Sequence, residues 1–285
     1  MPPIHNHYVP QAYLKGFATA DGKIFMYFKT QEKVIHTSLF NVANELHYWS
    51  DEIETFLANE VEEPANPVIE KLRQKQPISV DEKFLLSCYM ITMVKRTPKG
   101  QARMRELFPT AFNRSSEKAR NYYEQLRTRH PEMEEFAKEQ LNTLETLSHD
   151  IISEIQQSTW ERILAPDMTP ESAEAIAKMR WSIAIAGKKK GFVTTDNPVI
   201  FTQRTGIKPP HGQVLFPIST KAALWATWRT DVPIGYFNVN DDFVDEANTW
   251  LIKDALKYVF YQSHKNWIET ALRNLRKRSE HDQTS

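Results

Sequence analysis

The sequence predicts an α+β protein in which strands from both ends of the chain form a sheet around a long, mostly helical middle insertion. Three observations carry that expectation. Aromatic and β-branched residues concentrate in short runs near the start and again after residue 180. Between them, apolar residues recur at helical spacing. The chain also has 285 residues, 41% of them hydrophobic and 25% charged, enough for one large core. The expected organisation is therefore a single domain over 1–285. Residues 1–50 and 180–280 form its β-containing core, 51–178 the helical insertion and 280–285 a polar, disordered tail.

Taken in order, Pro10 suits the first turn of a short helix that Gly16 can end. Lys23–Lys29 and Lys33–Ser38 read as a hairpin, although no glycine marks its turn. Asp51 to Gln74 carries a helical stripe broken near Pro64 and Pro67. Ser79, with Glu82 three residues later, is a capping box for the next helix, whose apolar stretch is Phe84–Val94. Pro98 kinks or ends that helix, and helix resumes to about Arg129. Pro131 opens another, with Leu141, Leu144, Leu147, Ile151 and Ile155 in a stripe, and Thr169-Pro170 starts a short one. Strands are expected at Trp181–Ala186, Gly191–Thr194, Val199–Thr202, Val214–Pro217, Ala223–Trp228 and Lys257–Gln262. Helices are expected at Asp241–Leu256 and Lys265–Arg278.

Composition removes several function classes. Eight glycines leave no phosphate loop, no dinucleotide fingerprint and no nucleophile elbow, so no nucleotide cofactor is evident. No H-E-x-x-H occurs. A lone cysteine, Cys88, forms no internal disulfide and suits a reducing compartment. With no secretory signal and no apolar run of about 20 residues, a cytoplasmic protein without membrane attachment is expected. Net charge is zero, so any attraction to a polyanion must be local. Lys95–Arg129 holds ten basic residues against three acidic, whereas Glu132–Glu154 holds seven acidic and one lysine. Either the first segment is a phosphate-binding surface, or the two are neighbouring helices of opposite charge. A protein partner or homo-oligomer through this helical middle is a further possibility. The tryptophans at 181, 225, 228, 250 and 267 read as core more readily than as base-stacking platforms.

Several polar groups are candidates for chemistry. His5 and His7, two apart on an extended strand, place both imidazoles on one face, as a chelating pair requires. The alternative is a backbone-bonded His7 and a frayed His5. Asn41 is a candidate helix cap in Asn41-Val42-Ala43-Asn44-Glu45, and Glu45 a ligand or general base. Glu60, near the expected helix break, is a candidate counter-charge for Arg96, as structural ion pair or ligand clamp. Thr194-Thr195-Asp196-Asn197-Pro198 sets polar side chains between two apolar strands, where they need partners.

His7-Tyr8-Val9-Pro10-Gln11 with Tyr13-Leu14 and Phe17, Asn41-Val42-Ala43 with Glu45, Thr195-Asp196-Asn197-Pro198-Val199, and Pro217-Ile218-Ser219 resemble the successive signatures of a bacterial family called domain of unknown function 4238. The resemblance runs from residue 7 to about 262. Thr195 stands where that family commonly has Ser, and Thr220 where it commonly has Pro. It implies that His7, Gln11, Glu45, Asp196 and Asn197 are signature residues, with Glu60 and Arg96 as further candidates. It implies no established reaction. If these groups converge, the expected function is a hydrolase or transferase acting on a phosphate-containing substrate, most plausibly nucleic acid or nucleotide. A metal-dependent, nuclease-like toxin or phage-defence effector fits best. His7, Glu45, Glu60, Arg96 and Asp196 are its catalytic candidates, Gln11, Asn41, Thr195 and Asn197 its substrate contacts. His5, His7, Glu45 and Asp196 are candidate ligands for Mg or Mn. The alternative is a non-catalytic binding protein whose signature residues hold the fold.

Overall fold

A computed structural model describes residues 5–147, 149–164, 170–201, 207–263 and 271–272. Thr169, Thr202, Trp267, the tail and all but two residues of the expected closing helix lie outside these. The elements run β1 (His5–His7), α1 (Gln11–Leu14), β2 (Lys23–Phe28), β3 (Lys33–Ser38) and β4 (Asn44–Leu46). Next come α2 (Asp51–Phe56), a π-helical turn (Leu57–Glu62), α3 (Glu63–Arg73), α4 (Val80–Arg96), α5 (Pro98–Arg129), α6 (Glu134–Glu145), α7 (His149–Ile163) and α8 (Pro170–Lys178). The last stretch holds β5 (Arg180–Ile185), β6 (Thr194–Thr195), β7 (Ile200–Phe201), β8 (Gln213–Ser219), β9 (Ala222–Thr227), β10 (Gly235–Asn238), α9 (Asp241–Asp254) and β11 (Tyr258–Tyr261).

The α+β architecture stands, and strands from the two ends do meet. β11 lies between β2 and β6, in the order β3-β2-β11-β6, with Val259 opposite Tyr27 on one side and Thr195 on the other. The C-terminal third also builds a second sheet of its own, β10-β5-β9-β8-β7, and β1 pairs with β4 in a two-stranded ribbon. β10, whose strand pairing with β5 is parallel, was not anticipated from sequence. Its Gly-Tyr-Phe-Asn is too short to show alternation.

Contacts divide the chain into two compact units, residues 1–99 with 164–285, and residues 100–163. In the first, residues of both larger sheets and of α9 share one core: Ile200 and Leu215 from one sheet, Val259 and Tyr261 from the other, Val244 and Leu251 from the helix. The hairpin turn without glycine is made by Glu32, which takes the left-handed φ of 52°. Ser79 and Glu82 form the capping box, at 3.1 and 2.8 Å. Gly16 is required by close approach: an added Cβ would stand 2.5 Å from the Arg73 guanidinium and 2.6 Å from the Ile218 carbonyl.

The second unit consists of most of α5 with α6 and α7. Its buried side chains include Met104, Phe108, Ala137 and Trp160. Tyr123 meets Phe136 edge-on at 6.1 Å, Arg120 pairs with Glu145 at 3.3 Å, and Gln156 donates to the Arg105 carbonyl at 3.4 Å. The helix expected to run unbroken from Pro131 is instead a short 3₁₀ turn followed by α6 and α7.

Candidate functional site

The signature residues assemble into two clusters, both in the β-containing unit. One centres on Asp196, which follows β6 and is 1% exposed. Helix α9 ends at Asp254, and the chain turns through Ala255 in an extended conformation toward β11. That turn leaves three successive backbone N–H groups without helical or strand partners. Asp196 receives all three: Leu256 at 2.9 Å, Lys257 at 2.5 Å and Tyr258 at 3.0 Å. Its own N–H returns a bond to the Tyr258 carbonyl at 3.2 Å. Burial pushes the Asp196 carboxyl above the usual range, while the three N–H donors and Lys29 pull it back.

Around this carboxylate every neighbour is engaged. Lys29 donates to the Ile252 and Ala255 carbonyls at 2.9 and 2.5 Å, capping the C-terminal end of α9. Burial lowers its pKa, against the opposing pull of Asp196. Thr195 Oγ1 accepts from the Asn197 N–H at 3.1 Å and donates to the Asn197 carbonyl at 2.8 Å, closing the turn on itself. The Asn197 amide donates to Asp254, which also takes Lys99, and its oxygen accepts from Thr97 at 3.4 Å. Glu45, on β4, reaches the same junction through Lys257, 3.9 Å away. Tyr8 is buried beside it, its phenol pKa raised first by burial and then by the charge of Asp196.

The second cluster centres on Arg96, the last residue of α4, also 1% exposed. Its guanidinium donates to Glu62 at 2.7 Å and to the His7 carbonyl at 2.6 Å, and lies over the Trp49 ring at 5.1 Å. The counter-charge is thus Glu62, whereas Glu60, named from sequence, is exposed. The reason is the π-helical turn: the Glu63 N–H bonds the Ala58 carbonyl, five residues back. The wider turn re-aims the side chains that follow it. Asn6, fully buried in β1, joins the cluster by accepting from the Tyr48 N–H at 2.7 Å and donating to Glu54 at 3.0 Å. Glu54 also takes the Trp49 indole N–H at 2.5 Å.

His7 borders this cluster. Its Nε2 lies 3.1 Å from the Phe40 carbonyl and 3.2 Å from the Gln11 amide, and burial lowers its pKa. His5 bonds Asn44 at 2.9 Å. Both imidazoles sit 5.9 Å from the Phe40 ring, so they share a face as the strand spacing requires. Asn41 ends a 3₁₀ turn instead of capping one, and donates to Thr37 at 3.1 Å. His7 and Asp196 have no hydrogen-bonding partner in common. Among the described residues no group of three or more His, Cys, Asp and Glu is arranged to hold a metal ion. An open cleft of about 500 Å³ adjoins the Arg96 cluster, lined by Ala12, Lys15, Glu62, Asn66 and Arg73 among others, but not by His7, Glu45 or Asp196.

Sequence reasoning missed Asn6, Tyr8, Lys29, Glu54, Glu62 and Asp254. Two left a signal: Tyr8 stands within the first family signature, and Asn6 lies between two outward histidines on a strand, so it faces the interior.

No helix among the described residues is long and apolar enough to cross a membrane. Residues 5–265 match a family described as "Protein of unknown function (DUF4238)". Neither the curated proteins nor the solved structures contain a match to the chain.

Proposed function

This chain belongs to the DUF4238 family, and we propose that it is a binding protein whose signature residues hold a scaffold and whose helical unit, residues 100–163, recognises the partner. One observation carries the reading. The Asp196 carboxylate, the most buried acid of the signatures, already receives three backbone N–H bonds. A carboxylate so occupied fastens a chain reversal. Two of the three bonds fill Oδ2, and the one lone pair left on Oδ1 lies in a site only 1% exposed, with little room for a metal or substrate. The neighbouring Thr195 and Asn197 are likewise engaged within the fold, and in the second cluster both terminal nitrogens of Arg96 are held by Glu62 and the His7 carbonyl.

Thermal denaturation of Asp196→Asn tests this. A group retained for chemistry is often held at the expense of stability, and its replacement leaves the melting temperature equal or higher. A fastening group behaves oppositely, since the amide offers one acceptor where the carboxylate offered two. The scaffold reading expects a clear drop, and an unchanged or raised melting temperature sinks it.

A second reading, the metal-dependent hydrolase of phosphate-containing substrates, draws on His7. Its burial-lowered pKa keeps the imidazole neutral at pH 7, the form that ligates a metal or accepts a proton. Incubating the purified chain with labelled RNA and DNA in Mg or Mn, beside His7→Ala, tests it. Metal-dependent cleavage abolished by the substitution supports this reading, and intact substrates in every condition discard it.

A further inference from the structure

The ten cations between Lys95 and Arg129 are not equivalent once the fold is known. Arg96 is bound by Glu62 and Lys99 by Asp254, Arg120 pairs with Glu145 and Arg127 with Glu124, and Lys95 is also engaged. Five remain exposed without a carboxylate within ion-pair distance among the described residues: Arg103, Arg105, Arg114, Lys118 and Arg129.

All five lie on α5, and their positions sort them further. At 3.6 residues per turn, with α5 taken as regular through Pro109, Arg103, Arg114, Lys118 and Arg129 fall within about 80° of arc, with Arg105 well outside it. The same arc takes in Leu107, 57% exposed, and Tyr122, 61% exposed, borders it. The acids of this helix, Glu106, Glu117 and Glu124, collect on an arc about 20° wide that begins about 40° from Arg103. The buried Met104 and Phe108 lie on the other flank, beginning about 20° beyond Arg129. The helix therefore carries a stripe of four cations without an ion-pair partner among the described residues, interleaved with Leu107 and flanked on one side by Glu106 and Glu117, three residues on from Arg103 and Arg114.

We propose that this stripe is a docking surface for duplex nucleic acid, gripped through its phosphates. The inference rests on the reading of the helical unit as the recognition element and names its partner. Charge complementarity points to a polyanion, because no ion pair among the described residues explains why these four cations share one face. Length points to a duplex. From Arg103 to Arg129 the stripe spans about 39 Å at 1.5 Å per residue, close to the roughly 34–36 Å of one duplex turn. The outer cations meet phosphates about one turn apart, and Arg114 with Lys118 meet those between them. Such contacts fix position without reading sequence. The unit as a whole is not basic, so binding is local to the stripe and weakens steeply with salt.

The test is fluorescence anisotropy of the full chain against labelled 30-base-pair duplex DNA and the matching single strand, from 50 to 200 mM salt. Four phosphate contacts give a slope near −3.6 in log affinity against log salt, a loss of about a hundredfold across that range. The variant with Arg103, Arg114, Lys118 and Arg129 all changed to Gln should melt like the parent and lose at least tenfold in duplex affinity at 50 mM. Glu106→Gln with Glu117→Gln should not weaken binding. Absence of duplex binding at 50 mM overturns the proposal. So does equal affinity in the four-fold variant, or preference for the single strand. Light scattering of the same samples separates the two levels of inference. Self-association lost in the four-fold variant, without duplex binding, discards nucleic acid as the partner and leaves the recognition role of the helical unit standing.

Discussion

Asp196 and Arg96 are equally buried and oppositely charged, and the fold neutralises them by different means. Asp196 is met by main-chain dipoles, three N–H groups from one reversal. Arg96 is met mainly by side chains, Glu62 and the Trp49 ring, with one carbonyl from β1. A backbone tie depends on one side chain being right. A side-chain cluster depends on several, and each can be exchanged only with its neighbours. The comparison teaches that a single conspicuous residue marks the first kind of tie, while the second is distributed and hard to see in sequence.

The largest expected effect comes from removing the hub of the distributed cluster. Arg96→Ala leaves the His7 carbonyl and Glu62 without their shared donor, and breaking a buried pair in this way costs about 3–5 kcal/mol. Chemical denaturation measures it, and a loss below that of Asp196→Asn would reverse the ranking of the two ties. Next is Asp196→Asn, where leaving one buried N–H unsatisfied costs about 1–3 kcal/mol. Glu62→Gln should lower the melting temperature by less, since a neutral oxygen still accepts from Arg96. Glu60→Gln should leave it unchanged, and equal effects from the two glutamates would contradict the π-helical placement. The smallest effect is a pH dependence. Burial holds His7 below its ordinary value of 6.5. The unfolded chain therefore binds the proton more readily as pH falls through 6.5. The associated stability is present above that pH and is lost toward the lower folded value. His7→Gln should thus narrow the stability difference between pH 7.5 and 5.5, and an unaltered difference would remove His7 from the account.

The same contrast explains what was legible in the sequence. The capping box at Ser79 and the hairpin at 23–38 follow from local periodicity and turn chemistry, and the joining of end strands through β11 from strand runs bunched at both ends of the chain. Asp196 was visible because a polar run between apolar strands needs partners, though nothing in the run says that the partners are main-chain groups 60 residues away. The Arg96 cluster was half visible. Its cation stood out at the end of an apolar helix, but its carboxylate depended on a π-helical turn that no residue pattern announces. Lys29 and Asp254 were invisible because their partners lie far away in sequence, at Ile252 and Ala255 for the first and at Lys99 and Asn197 for the second.

The seat of β11 between β2 and β6 has a consequence for biosynthesis. The hairpin of residues 23–38 leaves the ribosome about 220 residues ahead of the strand that flanks it. At about 5–20 residues per second that is a wait of roughly 11–44 s. During it, the β2 edge is an open template for neighbouring nascent chains. Slow translation should therefore favour clumping over native yield, and the hairpin is where a holding chaperone would be expected to crosslink.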